Sequence, residues 1–445
     1  MNIPAEVIEV MSELSEKYEA YLVGGCVRDS LLGVVPKDWD ITTNATPDEV
    51  IEYFKAYKTI KTGYEYGTVT ILINEEPIEV TTYRLDSDYS DGRRPDSVRF
   101  ATAIEDDLSR RDFTINAMAY DPINDKLVDP HGGKSDIVYE ILQCVGDPFV
   151  RFSEDGLRLM RAVRFAVKYN LDIERKTKDA MCTNHRMLEK VSAERIREEL
   201  VKILMSNDPA RGLHILHDTG MLKVILPEID YLINVPQNNP NHMYDVFNHT
   251  CVALMNCPDD LIVRLVVLFH DSGKALTHST DGEYIDHFYA HQTESDSIAE
   301  KCMTRLKFDN ATIDLVSKLV LYHEQMDTVN KRTVKRLLQN IGVENLDRWI
   351  TIRKADIEGQ SYYRREYKLN QMEYVIELAT EIKVNNEAVT VKDLKIDGRK
   401  VMEVLNILPG KKVGEVLNYL LEKVLETPEL NTEETLVKLT KECNL

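Results

Sequence analysis

Stretches of β-forming residues stop about a third of the way along the chain, and this change of pattern limits the possible folds. Runs rich in Val, Ile, Thr and Tyr, each typical of a strand, occupy residues 20–25, 39–43, 67–73 and 78–84. Helical patterns separate these runs. After about residue 145, apolar residues recur at helical spacing behind Ser or Asp caps. The sequence therefore predicts an α+β fold, with an N-terminal α/β head and an all-helical remainder.

Length and net charge restrict the organisation of the protein and its partners. With 445 residues, the chain is too long for a single core, and roughly two to four domains are expected. Its net charge of -20 argues against a general nucleic-acid-binding protein. Any RNA contact would use local basic clusters, which lie at residues 158–169, 174–178, 330–336, 362–368 and 397–414.

Apolar runs and cysteine usage indicate the compartment. No stretch approaches the ~18 consecutive apolar residues of a membrane span, and the N-terminal residues lack the pattern of a signal peptide. The seven cysteines are scattered without a CxxC pair, which is typical of a reducing compartment. We therefore expect a cytoplasmic protein that makes no membrane contact.

Two aspartates follow a glycine turn near the N-terminus. A strand pattern ends at Gly24 and Gly25, Arg28 lies one turn into the next helical pattern, and Asp38 and Asp40 follow. Glycines let the backbone approach a phosphate, and the N–H groups at a helix start point towards it. Alternate strand residues point the same way, so both carboxylates could hold one or two divalent cations, with Mg²⁺ favoured. These residues predict a site for a nucleoside triphosphate and its metal.

A simpler reading treats each of these features as structural. A bare pair of aspartates is more often a polar strand edge, and a glycine pair is more often a tight turn beside a surface arginine. Glu79, on the strand pattern at 78–84, is a candidate third carboxylate. The ordered set of glycines, arginine and aspartates is nevertheless typical of nucleotidyltransferases, in which metal-bound carboxylates steady an attacking hydroxyl and a leaving pyrophosphate.

This region resembles the signature of class II tRNA nucleotidyltransferases, the CCA-adding enzymes, and of the related poly(A) polymerases. The resemblance continues in order over about the first 230 residues. Its further segments are GYEYGTVTILI (63–73), DGRRPDSVRF (91–100), DDLSRRDFTINAMAYDP (106–122), SEDGLRLMRAVRFA (153–166) and VSAERIREELVKIL (191–204).

The resemblance implies roles for residues of the third of these segments. Arg110, Arg111 and Asp112 match the ribose-binding motif, and Asn116 matches a nucleotide-binding position in it. Asp112 would accept a hydrogen bond from the ribose 2′-OH, which would separate ribonucleotides from deoxyribonucleotides.

The resemblance also implies a protein template for the base. Asp155 and Arg158 would read the base edge with support from Glu154. Cytosine and adenine each present an amine donor beside a ring-nitrogen acceptor, whereas uracil and guanine present the reverse order. An acceptor-only Asp beside a donor-only Arg therefore suits C and A. Arg161 and Arg164 follow on the same helical pattern and would meet the triphosphate. The structural alternatives are a capping acid with an i,i+4 ion pair and arginines on a surface helix.

A second set of residues resembles the ligand plan of HD-domain phosphohydrolases. An adjacent His-Asp pair, His270 and Asp271, ends an apolar helical pattern, and the resemblance completes the ligand set with His249 and Asp356. His291 and His323 are candidate further ligands or phosphate contacts. Imidazole and carboxylate together suit several divalent metals. An HD fold can also persist as a scaffold without catalytic activity.

These observations predict an enzyme of four regions: a nucleotidyltransferase head at 1–140, a helical neck at 141–230, an HD metal-binding domain at 231–365 and a helical tail at 366–445. We expect Mg²⁺ in the head and a second divalent metal in the HD domain. The expected substrates are CTP, ATP and the acceptor arm and 3′ end of tRNA.

Three alternatives remain open from the sequence. The first is an A-adding enzyme or a poly(A) polymerase; the full loop at 91–100 favours CCA addition, because in this family that loop accompanies addition of the final A. The second is a chain that acts mainly as an HD phosphohydrolase. The third is a non-catalytic tRNA-binding protein, which would need neither the aspartate pair nor the base-reading residues.

Overall fold

A computed structural model of the protein describes residues 1–61, 63–86, 98–324 and 328–443. The chain divides into two compact units, Met1–Pro227 and Glu228–Leu445. Strands occur mainly in the first unit and helices dominate the rest, so the predicted α+β class is confirmed.

The strands are short. They are β1 Ala20–Val23, β2 Asp40–Thr43, β3 Lys58–Ile60, β4 Thr68–Ile73, β5 Glu76–Thr82, β6 Arg84–Asp86, β7 Val98–Phe100, β8 Ala119–Asp121, β9 Lys126–Val128, β10 Ile141–Leu142, β11 Asp172–Ile173, β12 His278–Thr280 and β13 Asp286–Phe288. The loop predicted at 91–100 lies outside the described residues except for β7.

The helices of the first unit are α1 Ala5–Ser15, α2 Gly25–Leu31, α3 Pro47–Tyr53, α4 Ile104–Ser109, α5 Gly133–Val138, α6 Pro148–Glu154, α7 Leu157–Lys168, α8 Arg175–Asn184, α9 Ala193–Leu204, α10 Pro209–Asp218, α11 Leu222–Ile225 and α12 Pro227–Asp230, the last of which crosses into the second unit. Those of the second unit are α13 Val246–Met255, α14 Leu261–Phe269, α15 Lys274–Thr277, α16 His291–Arg305, α17 Asn310–Leu321, α18 Lys331–Ile341, α19 Leu346–Gly359, α20 Arg365–Val384, α21 Gly398–Leu405, α22 Lys411–Glu426 and α23 Glu433–Glu442.

A seven-stranded sheet forms the head, in the order β3-β4-β5-β2-β1-β8-β9. The β2–β5 pair is parallel and places Asp40 opposite Glu79, while β1 pairs antiparallel with both β2 and β8. Leu22 of β1 and Val69 of β4 are completely buried and share an apolar core with Met11 of the amphipathic helix α1. This packing fixes the start of β2, where the aspartates lie.

The break between α6 and α7 requires a glycine. A Cβ built on Gly156 would lie 2.6 Å from the carbonyl oxygen of Met187, which is closer than real contacts allow. Helix α7 continues from this break with Leu159, Met160 and Val163 completely buried. The buried face fixes the rotation of α7 and so directs its arginines.

The second unit is built from helices. The apolar helix α14 and the neighbouring helix α19 are largely buried, and the buried Trp349 of α19 donates its indole N–H to the carbonyl oxygen of Tyr322 at 2.7 Å. Helices α21 to α23 have an apolar core of their own that includes Leu420 and Leu436. No helix in the described part of the chain is long and apolar enough to span a membrane.

Candidate functional site

Three carboxylates gather on neighbouring strands of the head. Strand β2 begins at Asp40, Asp38 lies two residues earlier, and Glu79 lies beside Asp40 on β5; all three are exposed. The pKa of Asp40 is raised, first by partial desolvation and then by the negative charge of Glu79, with a smaller contribution from Asp38. Arg111 opposes this rise. Such a concentration of negative charge fits a divalent cation.

The glycine turn is shaped by its neighbours. Gly24 has a φ of +75°, and a Cβ at this position would lie 2.8 Å from a terminal guanidinium nitrogen of Arg111. Arg110 and Arg111 both donate to Asp107, whose side chain is completely buried, at 2.8 and 3.0 Å. Burial raises the pKa of Asp107, but the two arginines lower it by more, so the carboxylate stays ionised. Asp107 therefore holds Arg111 over the turn.

A continuous chain of side-chain hydrogen bonds connects the glycine turn to helix α7. Arg28 donates to the Oδ1 of Asn116, and the amide nitrogen of Asn116 donates to Asp112 at 2.9 Å. Arg161 of α7 donates to the other oxygen of Asp112 at 2.7 Å. Burial alone would raise the pKa of Asp112, yet Arg161 and Asn116 lower it to about 2. The four residues, which the sequence places 133 positions apart from first to last (161 − 28), are brought together.

Aromatic rings support the arginines of this network. The guanidinium of Arg28 lies 5.1 Å from the ring centre of Phe165 and 4.7 Å from that of Tyr169. The guanidinium groups of Arg161 and Arg164 also lie against Phe165, at 5.2 and 4.2 Å from its ring centre. Cation–π contacts of this kind hold a guanidinium without neutralising its charge.

The predicted base-reading residues straddle the break between two helices. Glu154 ends α6, Asp155 is in extended backbone, and Arg158 lies in the first turn of α7. Glu154 bonds both Arg151 and Arg158. Asp155 bonds Arg195 of α9 at 3.0 Å. Gly156, which packs on the Met187 carbonyl, lies at this break.

Arg164 occupies a different position from Arg161. Its guanidinium is 2.6 Å from Glu199 of α9, a residue that is 4% exposed. Both arginines predicted to meet the triphosphate thus have a carboxylate partner within the protein, Asp112 for Arg161 and Glu199 for Arg164. Arg164 remains a structural bridge between α7 and α9 in this arrangement.

The predicted HD residues converge in the second unit. His249, His270, Asp271 and Asp356 are all at most 4% exposed. The Nε2 of His249 lies 3.4 Å from Asp271 and 3.1 Å from Asp356, and the Nε2 of His270 lies 3.2 Å from Asp271. His291 and His323 also lie within 4 Å of Asp271, at 3.3 and 3.9 Å.

Each of the four histidines also makes a contact through its Nδ1 atom. In each, the Nδ1 lies within hydrogen-bonding distance of a backbone carbonyl oxygen, so that this nitrogen is the donor. The partners are Gly359 for His249 at 3.0 Å, Val267 for His270 at 2.7 Å, Phe288 for His291 at 2.9 Å and Val320 for His323 at 2.6 Å. Held in this way, each ring directs its Nε2 into the cluster, which is the usual arrangement around a metal ion.

Charged groups at the rim hold the two carboxylates. Lys274 bonds Asp271 at 2.7 Å, and Arg353 bonds Asp356 at the same distance. Burial alone would raise the pKa of both carboxyl groups. The charges of His270 and Lys274 instead hold the pKa of Asp271 well below its ordinary value, and the charge of Arg353 does the same for Asp356. The donor set of imidazoles and ionised carboxylates fits a divalent metal.

Family models match three parts of the chain. The poly A polymerase head domain matches residues 20–143, the "Probable RNA and SrmB- binding site of polymerase A" matches 170–233, and tRNA nucleotidyltransferase domain 2 matches 282–440. Together they cover both units.

The chain belongs to the poly(A) polymerase and tRNA nucleotidyltransferase family. Among curated members, it is 48% identical over 204 residues to the CCA-adding enzyme of Lactobacillus helveticus, covering 46% of this chain and 50% of that enzyme. It is 40% identical over 263 residues to the CCA-adding enzyme of Ligilactobacillus salivarius, covering 55% of this chain and 64% of that one. The matched part thus spans about half to two thirds of these relatives.

Solved structures of the family match over nearly the whole chain. The Bacillus stearothermophilus CCA-adding enzyme in complex with CTP has a TM-score of 0.70 and 26% identity, over 98% of this chain and 96% of that one. The Thermotoga maritima CCA-adding enzyme complexed with tRNA has a TM-score of 0.61 and 21% identity, over 98% and 95%. The second likeness supports the fold alone.

Membership in the family implies a divalent metal in the head, and the exposed carboxylates of β2 and β5 fit one. Some residues that shape the site were given no role by the sequence. Asp107 could have been found, because it lies three and four positions before Arg110 and Arg111 on a helical pattern. Arg195 could not, since its contact with Asp155 depends on the packing of α7 against α9.

Proposed function

We propose that this chain is a CCA-adding tRNA nucleotidyltransferase that builds and repairs the 3′ end of tRNA from CTP and ATP. The observation that carries the proposal is the hydrogen-bonded chain from Arg28 through Asn116 and Asp112 to Arg161. It joins the glycine turn, the proposed ribose acceptor and helix α7, and a protein that only binds tRNA would have no need of such a chain of hydrogen bonds.

Asp38 and Asp40 would hold Mg²⁺, with Glu79 beside them. The bound metal would act as a Lewis acid that lowers the barrier to attack of the tRNA 3′-OH on the nucleotide α-phosphate. Arg28 and the N–H groups at the start of α2 would bind the triphosphate, and pyrophosphate would leave along them. Asp112 would accept from the ribose 2′-OH while Arg161 keeps it ionised.

Base selection would fall to Asp155 and Arg158. Glu154 holds the Arg158 guanidinium and Arg195 holds the Asp155 carboxylate. These ion pairs would keep both groups from rotating when a base binds. A wrong base would leave buried polar groups unpaired, at a cost of about 1–3 kcal/mol each. Two mismatches would give discrimination of about a hundredfold or more.

The cluster at 362–368 would provide a better surface for tRNA than the cluster at 330–336. Basic residues of the cluster at 330–336 pair with carboxylates of the same unit, as Arg336 does with Glu422 at 2.8 Å. In the cluster at 362–368, Tyr362 is 79% exposed and Tyr367 is 57% exposed, and both lie beside arginine and lysine. Exposed aromatic rings with neighbouring positive charge suit contacts with phosphate and unpaired bases.

The test uses four versions of one tRNA transcript: ending before CCA, after C, after CC, and complete. Each is incubated with Mg²⁺ and labelled nucleoside triphosphates, singly and combined, and the products are sized to one nucleotide. Growth of every truncated form to CCA, followed by a stop, is the expected result. Extension of the CC form alone would indicate an A-adding enzyme, and a long ladder of A would indicate a poly(A) polymerase.

The buried histidine cluster favours a second function, metal-dependent phosphohydrolysis at an HD site. His249, His270, Asp271 and Asp356 would hold the metal. Bis(4-nitrophenyl) phosphate and 2′,3′-cyclic nucleotides with added Mn²⁺ or Ni²⁺ are suitable first substrates. We expect hydrolysis that His270→Gln removes and Asp40→Asn leaves unchanged; hydrolysis that survives His270→Gln would contradict the assignment.

A further inference from the structure

We infer that Tyr169 is a positioning residue for the triphosphate, because it holds the Arg28 guanidinium in place through Asp29. The inference rests on the proposed nucleotidyl transfer, in which Arg28 binds the phosphates. Tyr169 directly follows the last residue of α7 and lies beyond the segment 153–166 that carries the family resemblance. It would govern the binding of CTP and ATP alike, since the proposed base-reading residues lie at the other end of this helix.

The Tyr169 hydroxyl and the Arg28 guanidinium meet on one carboxylate oxygen. Tyr169 donates to the Oδ1 of Asp29 at 2.8 Å, and the Nε and a terminal nitrogen of Arg28 lie 2.8 and 2.7 Å from the same oxygen. The side chains of Arg28 and Asp29 are only 8% and 14% exposed, so little water competes for these bonds. The hydrogen bond from Tyr169 therefore limits rotation of Asp29, and Asp29 in turn holds Arg28.

The ring of Tyr169 contacts the same guanidinium. Its centre lies 4.7 Å from the Cζ of Arg28, and it stacks on Phe165 with 6.0 Å between the ring centres and 20° between the planes. Phe165 packs edge-on against Phe113, and both rings are buried. The Tyr169 ring is thus anchored to the interior, and it can hold a cation without neutralising its charge.

The guanidinium that Tyr169 holds lies at the glycine turn. A Cβ built on Gly25 would lie 3.6 Å from one terminal nitrogen of Arg28, and the other terminal nitrogen donates to Asn116. A phosphate bound at this turn would therefore meet a guanidinium whose orientation is already set. Such preorganisation reduces the entropy that is lost when the ligand binds.

Tyr169 also reduces the competition between Asp29 and a phosphate for Arg28. A carboxylate that accepts a hydrogen bond from a hydroxyl attracts a neighbouring cation less strongly than one without that donor. Burial raises the pKa of the Tyr169 hydroxyl, and the charge of Arg28 offsets only part of this rise, so the group stays a protonated donor at neutral pH. Loss of the hydroxyl would free Asp29 to rotate and leave its full charge on Arg28; both changes would weaken triphosphate binding.

Steady-state kinetics of Tyr169→Phe tests this role. The transcript that ends before CCA is extended with CTP, and the one that ends after CC is extended with ATP. We expect the KM for both nucleotides to rise about tenfold, the effect of one hydrogen bond to a charged group, while kcat stays within about twofold. Tyr120→Phe is the matched control, because it removes a hydroxyl–carboxylate bond of the same kind, to Asp125 at 2.7 Å. It should keep the wild-type KM.

Inhibition by parts of the nucleotide shows which contact is affected. Pyrophosphate should inhibit Tyr169→Phe about tenfold less strongly than the wild type. CMP, which lacks the β- and γ-phosphates, should inhibit both proteins equally. Asp29→Asn should also raise the KM, and adding Tyr169→Phe to it should raise the KM no further, because Tyr169 acts through Asp29.

Three results would overturn the inference, and circular dichroism first checks that each variant folds. An unchanged KM for CTP in Tyr169→Phe, beside a wild type that completes CCA, would overturn it and leave the proposed function standing. Equal weakening of CTP and CMP binding would also overturn it, since Tyr169 would then support the whole site. A wild type that extends none of the transcripts would overturn the proposed function and this inference with it.

Discussion

Asp38 and Asp40 are exposed, whereas His249, His270 and Asp271 are at most 3% exposed. The head carboxylates are open to solvent and repel one another. The positive charge of Arg111 opposes this repulsion. The HD residues are fixed by carbonyl oxygens and charged neighbours on every side. An exposed site can lose a ligand residue without losing its fold, whereas a buried cluster would depend on a bound cation for part of its stability.

The strongest test of this contrast is Asp40→Asn. It should lower nucleotide addition by roughly a hundred- to a thousandfold, the range for removing a group that stabilises charge in the transition state. Because the side chain is exposed, the melting temperature should hardly change. Primer extension and calorimetry measure the two effects. Glu76→Gln, another exposed carboxylate on β5, is the control; a similar loss there would refute a specific role for Asp40.

His249→Gln should give the opposite pattern. Saturation at a thousand times the dissociation constant stabilises a protein by about 4 kcal/mol, and the variant would lose this contribution. We expect a lower melting transition for the second unit and unchanged CCA addition. Calorimetry with and without a chelator measures the effect. A melting temperature that neither the chelator nor the mutation changes would contradict stabilisation of the buried cluster by a cation.

Asp155→Asn tests selection within the head. An amide can present a donor where the carboxylate presents only acceptors, so incorporation of UTP relative to CTP should rise by about tenfold to a hundredfold. Single-nucleotide kinetics on the transcript that ends before CCA measures this ratio. Arg195→Lys, which keeps the charge but not the paired N–H groups, should relax selectivity less; an equal ratio in all three proteins would exclude Asp155 as a base reader.

The buried part of the head should show acid sensitivity through Asp112. Its pKa is lowered to about 2 in the folded protein, so the stability it contributes is present above its ordinary pKa of 3.8. That stability, about 2 kcal/mol, should be lost as the pH falls from about 4 to 2. Urea unfolding at several pH values checks this, and Asp112→Asn should flatten the slope. The exposed Asp179→Asn should leave it intact.

Gly24→Ala should have the smallest effect, on the order of 1 kcal/mol from the left-handed backbone plus the contact with Arg111. Gly33→Ala is the matched control, because Gly33 has a φ of +71° but no atom within 4 Å of a built Cβ. The difference between the two variants isolates the Arg111 contact. Equal unfolding free energies and equal KM values for CTP would show that the contact is unimportant.

Much of this arrangement could be predicted from local pattern. The glycine turn, the aspartate pair and the adjacent His-Asp pair are short motifs, and the α+β class followed from where β-forming residues stop. The pairing of Asp112 with Arg161 joins residues 49 positions apart, and that of Asp155 with Arg195 joins residues 40 apart. Such pairs depend on helix rotation and packing, which periodicity does not determine. The loop at 91–100 remains a prediction.

The bond between Asp112 and Arg161 limits where this chain can be truncated or joined to a segment of a related protein. The matched head region ends at residue 143, before Arg161. A fragment or chimera joined there would keep a buried carboxylate and discard the cation that neutralises it, unless the incoming segment supplied an arginine at the same place. The exchangeable module therefore extends at least through helix α7 and Tyr169, whose ring lies against Arg28.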